Sequence, residues 1–422
     1  RALVIVPTSL LGNWQKEAAR FTPGLSVEVF HGSKRELGPT RPDLLLTTYG
    51  VARSEAARLK AMAWRVLVVD EAQNIKNPTA AQTRALKSIS ASTKLAMSGT
   101  PVENRLSEYW SIMDFAQPGH LGGLSHFTRE FATPIQTHRD AAAAARLRRV
   151  MAPFMLRRLK SDKSIIDDLP DKLEQDQHCT LSREQAALYE TVLREALKSI
   201  NGESRSFQRQ GLVLQMILAL KQICNHPAQY LKQGAADAAA SGKAQRLLDL
   251  LDEIAATQGK ALIFTQFREM GELLVQMLHA RQAQAGASGG AGHEPMFLHG
   301  GVPRARRDDM VERFQTDPGQ RIFVLSLKAG GTGLNLTAAN HVIHYDLWWN
   351  PAVEAQATDR AHRIGQQRAM QVHRFITRGT FEERINEMIR SKRELAELTV
   401  GTGETWIGQL PPDELKALFQ LG

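Results

Sequence analysis

The first 120 residues alternate short apolar runs with amphipathic stretches. Positions 3–6, 44–47, 66–70 and 94–97 are largely apolar runs of strand length, and positions 10–20 and 79–89 carry apolar residues at helical spacing. Alternation of this kind predicts a parallel sheet with helices on both faces. From residue 121 the strand pattern lapses. Helical spacing at 141–150, 182–200 and 211–224 predicts a helical insertion, and the small-residue stretch 234–242 predicts its boundary, so 121–242 reads as insertion and linker. Over 243–400 the α/β pattern resumes. Strands are predicted at 261–264, 296–298, 322–325, 341–345 and 372–376, and helices at 244–256, 269–281, 304–314, 353–363 and 381–395. The Gly/Ala/Ser-rich segment 282–294 predicts a mobile loop. Residues 401–422 form a tail with Pro411-Pro412 and a short helical pattern. The expected fold class is α/β: two doubly wound parallel-sheet lobes, 1–120 and 243–400, with a helical insertion between them.

Charge sharpens this picture. The net charge of +9 favours a polyanionic partner, most simply nucleic acid, against the plainer reading of a soluble basic protein. Cys179 and Cys224 are the two cysteines, so this is no disulfide scaffold and a reducing, cytoplasmic setting fits. Cys224-Asn225-His226 lacks the second ligand pair that a zinc site needs. No run approaches the roughly 20 apolar residues of a membrane span. The chain opens at Arg1 already inside a strand pattern, without signal peptide or initiating Met, and reads as a fragment that has lost its beginning.

Several segments carry chemistry. Asp70 and Glu71 close the strand that begins at Val66, and ligands of doubly wound sheets bind at strand C-terminal ends. There Asp70 can hold Mg²⁺ through its water shell and Glu71 can orient or deprotonate a water; the plain alternative is a solvated loop. Ser98-Gly99-Thr100-Pro101 follows the next strand, as a turn or as a sensor of the neighbouring phosphate site. The Gly-rich loop 329–335 includes Gly330, Gly331, Thr332, Gly333 and Asn335, and allows close approach to a phosphate or base. Gln356, Arg360 and Arg363 fall at i, i+4 and i+7, which predicts one helix face presenting two guanidinium forks to phosphate oxygens. Arg146, Arg148, Arg149, Arg157, Arg158, Lys160 and Lys163 can track a phosphate backbone or simply form a solvated face. Trp348 and Trp349 are expected to pack beside the Gly-rich loop rather than stack on bases. No G-x-x-x-x-G-K-[ST] phosphate loop occurs in the 422 residues.

Taken in order, Pro7-Thr-Ser-Leu-Leu-Gly-Asn-Trp14, Thr47-Thr48-Tyr49, Asp70-Glu-Ala-Gln73, Ser98-Gly-Thr-Pro101, Phe264-Thr-Gln-Phe267, 327–335 and Gln356 to Gln366 resemble the helicase motifs of the Swi/Snf family of helicase superfamily two, in the style of its bacterial members. The segments 159–163 and 220–227 resemble that family's helical insertions. The resemblance implies two RecA-like lobes, with ATP bound between them and its hydrolysis driving translocation on double-stranded DNA, usually without strand separation. By motif, Asp70 and Glu71 would be the Mg²⁺ and water-activating carboxylates, and Arg360 and Arg363 the arginine fingers. Gln73, Ser98, Gly99, Thr100, Gly331, Thr332, Gly333 and Gln356 would serve the nucleotide, and Pro7, Thr8, Thr48, Gly330 and Asn335 the DNA. The cofactors implied are ATP and Mg²⁺. The implied partner is double-stranded DNA, with a DNA-bound complex such as RNA polymerase open as the remodelled target. A nucleoid-associated monomer is expected. The competing reading is an ATPase-inactive nucleic-acid-binding or partner-docking module, because the phosphate loop, which the resemblance implies a few tens of residues before Pro7, falls outside the chain.

Overall fold

The computed structural model describes residues 1–32, 42–99, 106–138, 140–156, 169–203, 206–286, 293–326, 334–348, 350–363, 365–395 and 412–421. The chain divides into two compact units near Arg157 and Arg158.

The first unit is built on five parallel strands in the order β2-β3-β1-β4-β5: β1 (Ala2–Val6), β2 (Val27–Phe30), β3 (Leu44–Thr48), β4 (Trp64–Asp70) and β5 (Ala91–Met97). Crossovers run through α1 (Leu11–Phe21), α2 (Tyr49–Ser54), α3 (Ala56–Lys60) and α4 (Ala81–Lys87). The uninterrupted apolar runs are explained by the two faces of the sheet. Leu3, Ile5, Leu45, Leu67 and Val69 pack on one side with Tyr49, Trp64 and Phe115, while Val4, Val6, Leu46 and Val68 pack on the other with Leu10 and Leu11. The edge strand β5 departs from this pattern, with Leu95 49% and Met97 46% exposed. The unit continues through α5 (Leu106–Ala116), α6 (Leu124–Phe127), α7 (Thr133–His138) and α8 (Ala141–Met151), whose apolar faces close a separate core around Trp110, Phe127 and Leu147. The Asp140 carboxylate caps α8 by accepting from the Ala142 and Ala143 amides.

The second unit carries a six-stranded parallel sheet in the order β6-β11-β10-β7-β9-β8. Its first strand, β6 (Lys172–Cys179), corrects the purely helical reading of 121–235. β6 is charged and mostly exposed, so no apolar alternation announced it; its eight-residue parallel register with β11 defines it. Next come α9 (Arg183–Gly202), α10 (Ser206–Asn225), α11 (Pro227–Leu231) and α12 (Gly242–Ala256). The remaining elements are β7 (Ala261–Thr265), α13 (Arg268–Gly286), β8 (Met296–Leu298), α14 (Arg304–Thr316), β9 (Ile322–Ser326), β10 (His341–His344), α15 (Pro351–Thr358), β11 (Met370–Thr377), α16 (Phe381–Leu395) and α17 (Pro412–Phe419). Helix α13 continues to Gly286, so the first residues of the expected 282–294 loop are helical; 287–292 lie outside the described residues.

Helices α9 and α10 join this unit's own core, where Tyr189, Ile217 and Leu220 pack with Leu347, Ile376 and Phe381. The short C-terminal pattern becomes α17. Its Leu415 and Phe419 enter the same cluster, and the Tyr189 hydroxyl donates to the Phe419 carbonyl at 2.8 Å. Among the described residues no helix is long and apolar enough to cross a membrane.

Candidate functional site

In the first unit the candidate chemistry stands at the C-terminal end of β4. Asp70 is the last residue of the strand, and the chain turns sharply at Glu71, whose φ of 54° and ψ of 57° are left-handed. A non-glycine residue in that region is strained by about 1 kcal/mol or more. Hydrogen bonds hold it there. The Tyr49 hydroxyl donates to the Asp70 carbonyl at 2.6 Å and to the Glu71 carbonyl at 3.3 Å, and the Asn74 amide donates to the Glu71 carbonyl at 2.9 Å. Burial, and then the two neighbouring carboxylates, raises the Tyr49 pKa, so the phenol stays a donor.

Each carboxylate is also oriented. Asp70 Oδ2 accepts from the Trp14 indole at 2.8 Å, and Oδ1 accepts from the Glu71 amide at 2.8 Å. Glu71 Oε2 accepts from Gln73 Nε2 at 2.6 Å, and Gln73 Oε1 accepts from the Ser98 hydroxyl at 3.0 Å. A hydrogen-bonded chain thus runs from Ser98 at the end of β5 through Gln73 to Glu71. Both Asp70 oxygens keep further lone pairs beyond these bonds, and hard carboxylate oxygens half-exposed at a strand end suit Mg²⁺ held through its water shell. Gly99 is exposed beside Ser98; Thr100 lies outside the described residues.

Pro7 is half-buried and Thr8 exposed where β1 ends, both accessible to a ligand. Thr48 differs from the expectation of a backbone-contacting hydroxyl. It is 3% exposed, accepts from the Val51 amide to cap α2, and lies 3.3 Å from His31 Nδ1. Of the basic run, Arg146, Arg148 and Arg149 are exposed on α8, with Arg146 over the Phe131 ring. Arg157, Arg158, Lys160 and Lys163 lie outside the described residues.

In the second unit, α15 ends at Thr358, which corrects the predicted helix over 353–363 and its single face. Gln356 is on the helix, but Arg360 and Arg363 belong to the turn that follows. The ladder gives way to three-residue spacing there: the Arg360 amide reaches the Ala357 carbonyl and the Ala361 amide the Thr358 carbonyl. Arg360 is 7% exposed with its guanidinium over the Phe264 ring, whereas Arg363 is half-buried. Gln366 locks this turn. Its amide nitrogen donates to the carbonyls of Thr337, Ala339 and Ala361, and its oxygen accepts from the amides of Gln367 and Arg368. Asn335 is exposed on the connection so tied. Gly330, Gly331, Thr332, Gly333 and Trp349 lie outside the described residues, and Trp348 is half-buried.

Beneath the ends of β7 and β10 lies a fully buried polar network. Lys243 pairs with Glu382 at 2.9 Å and donates to Asn225 Oδ1 at 3.3 Å. Asn225 Nδ2 donates to Asp346, which also accepts from the Thr265 hydroxyl and the Gln266 amide. Burial raises the Asp346 pKa, opposed by the Thr265 bond and by Lys243. Asn225 and His226, which in sequence hint at metal, are spent on this network and on capping α11, and burial pushes the Cys224 thiol well up. Among the described residues no group of three or more His, Cys, Asp or Glu is placed to hold a metal ion.

Sequence reasoning passed over Trp14, Tyr49 and Lys243. Trp14 and Tyr49 stood inside the quoted motifs, but nothing in spacing alone says that an indole 56 residues upstream reaches Asp70.

Residues 1–229 match the SNF2-related domain and residues 242–365 the helicase conserved C-terminal domain. The chain is 44% identical over 427 residues to the "Putative ATP-dependent helicase/translocase YwqA" of Bacillus subtilis, covering 99% of this chain and 45% of that protein. It is 30% identical over 481 residues to the human TATA-binding protein-associated factor 172, covering 100% of this chain and 26% of the relative. The chain therefore spans less than half the length of these curated relatives. Among solved structures, the Sulfolobus solfataricus SWI2/SNF2 ATPase core in complex with dsDNA superposes with a TM-score of 0.53 at 40% identity, covering 100% of this chain and 86% of that one.

Proposed function

We propose that this chain, which belongs to the SNF2 family of ATP-dependent helicase-like proteins, is the ATP-hydrolysing motor of a double-stranded DNA translocase. The observation that carries the reading is the pair Asp70 and Glu71 at the end of β4, one aimed by Trp14 and the other joined through Gln73 to Ser98. Glu71 orients the attacking water and takes its proton. Asp70 would hold the Mg²⁺ that accompanies ATP, and the ion would supply positive charge against the phosphates. Arg360 and Arg363 supply the positive charge that phosphoryl transfer calls on. Gln356, Ser98, Gly99, Thr100, Gly331, Thr332 and Gly333 attend the nucleotide. Pro7, Thr8, Gly330 and Asn335 meet the DNA backbone, and Thr48 acts there by capping α2 rather than by direct contact. The net charge of +9 and the likeness to an ATPase core solved with dsDNA support a duplex DNA partner.

A DNA-bound protein complex is the proposed target. The 422 residues contain no G-x-x-x-x-G-K-[ST] loop, which keeps an ATPase-inactive docking module as the second reading of the isolated chain. The deciding assay is therefore DNA-stimulated ATP hydrolysis by the whole protein. Glu71→Gln is expected to abolish turnover while keeping ATP bound, since the amide preserves shape but accepts no proton. Arg363→Ala is expected to cost on the order of 10³-fold. Wild-type turnover in either variant refutes these roles.

A further inference from the structure

We propose that Arg374, a residue remote from the motifs themselves, is a positioning residue that sets the arginine-bearing turn through Glu354. The inference rests on the reading of Arg360 and Arg363 as the charges that serve phosphoryl transfer.

Arg374 sits in the middle of β11 and is half-buried, its side chain 15% exposed. Its three nitrogens go to three different elements. Nη1 meets Asp176 Oδ1 on the neighbouring β6 at 2.9 Å, Nη2 donates to Asn386 Oδ1 on α16 at 3.0 Å, and Nε meets Glu354 Oε2 on α15 at 3.1 Å. Asn386 closes the inner side by donating to Asp176 Oδ2 at 3.2 Å. Burial opposes the charge, and Glu354 and Asp176 more than offset it, so the pKa is raised. A guanidinium bonded through each of its three nitrogens is held in a fixed orientation, which is the property that makes arginine a rigid bracket.

The bracket's outer arm ends on the segment that matters. Glu354 lies in the first turn of α15 and is 7% exposed; its second oxygen accepts from the Trp348 amide at 3.0 Å. One carboxylate therefore ties both the loop entering α15 and the helix itself to β11. The other end of α15 is held by Thr358, whose hydroxyl lies 2.9 Å from His344 Nε2 on β10. Arg360 follows two residues later, and its carbonyl accepts from the Leu336 amide. Glu354, Gln356 and Thr358 share one short helix that runs straight into the turn bearing Arg360 and Arg363, so a shift of Glu354 is passed along that helix toward them. Displacement of about 1 Å at a charge that acts in the transition state can cost on the order of 100-fold in rate.

The two arms of Arg374 separate positioning from mere stability. Glu354→Gln and Asp176→Asn each remove one charged partner of the same half-buried arginine, so both are expected to lower Tm to a similar extent. Only Glu354 touches α15. Its amide keeps the Trp348 contact through oxygen but then turns an NH₂ donor toward the Arg374 N–H. In the whole protein, assayed well below either Tm, Glu354→Gln is expected to lower DNA-stimulated kcat about tenfold or more with KM for ATP within about twofold. Asp176→Asn is expected to keep kcat within about twofold. Equal losses in both variants, or wild-type kcat in Glu354→Gln, overturn the inference. Arg363→Ala run alongside distinguishes the two levels: wild-type turnover there refutes the arginine reading itself, whereas an inactive Arg363→Ala beside a fully active Glu354→Gln refutes only the positioning role.

Discussion

Trp14 shows how one donor can decide what a carboxylate does. Its indole N–H bonds Asp70 Oδ2 at 2.8 Å and so fixes which lone pairs point away from the sheet. Trp14→Phe keeps the ring and deletes that bond. Partners of this kind are typically worth 10- to 100-fold in metal affinity or activity. The variant is expected to need roughly tenfold more Mg²⁺ for half-maximal ATPase activity; an unchanged Mg²⁺ titration contradicts the role. Lys243 makes the complementary case for stability. It and Glu382 are both essentially excluded from solvent, and removing one partner of such a pair strands the other charge. Lys243→Met is expected to destabilise the second unit by about 3–5 kcal/mol in urea unfolding, and a loss below about 1 kcal/mol contradicts that. Asp70 and Glu71 are named from the sequence because a strand ends in carboxylates, and Gln73 only because its motif resembles the family's. Trp14 and Lys243 are not legible in this way, because their partners lie 56 and 139 residues away and only the folded sheet brings them together.

At the scale of elements, strands buried on both faces announced themselves and charged ones did not. β1, β3 and β4 read directly from their apolar runs, while β6, with Glu174, Gln175, Asp176 and Gln177 in its middle, was invisible. The end of α15 was misjudged for a related reason: the i, i+4, i+7 spacing of Gln356, Arg360 and Arg363 fits a helix, but the Gln366 bonds draw the chain into a turn after Thr358.

The seam between β6, β11, β10 and α12 carries its own pH response. Arg246 Nε donates to Gln177 Oε1 at 3.0 Å, which turns Gln177 Nε2 toward His373 Nδ1 at 3.4 Å; His373 Nε2 then lies 3.3 Å from His341 Nδ1. That order assigns both imidazoles as neutral Nε2–H tautomers. Protonating His373 sets a donor against Gln177, and protonating His341 sets a donor against His373. Burial and then His341 and Arg246 lower the His373 pKa to about 4, and burial lowers that of His341. Since the unfolded imidazole titrates near 6.5, the unfolded state binds more protons between about 6.5 and about 4. Stability of this seam is therefore full above that window and falls as pH drops through it. His373→Gln is expected to flatten the dependence of urea midpoint on pH over that range, and an undiminished slope contradicts the assignment.

For the molecule as a whole, two parallel-sheet units each carry one set of chemical groups. The first holds the carboxylates at the end of β4. The second holds the arginines after α15, a helix whose Glu354 is bonded to Arg374 on β11. The chain belongs to the SNF2 family, on which we propose ATP as the energy source, and its basic balance favours the proposed duplex DNA track. Motion along duplex DNA without strand separation is the central claim, and displacement of a labelled third strand from a DNA triplex by the whole protein tests it most directly. ATP-dependent release of the third strand is expected, abolished by Glu71→Gln, with the underlying duplex left intact. Robust ATP hydrolysis without third-strand release, or separation of the duplex itself, would contradict that claim.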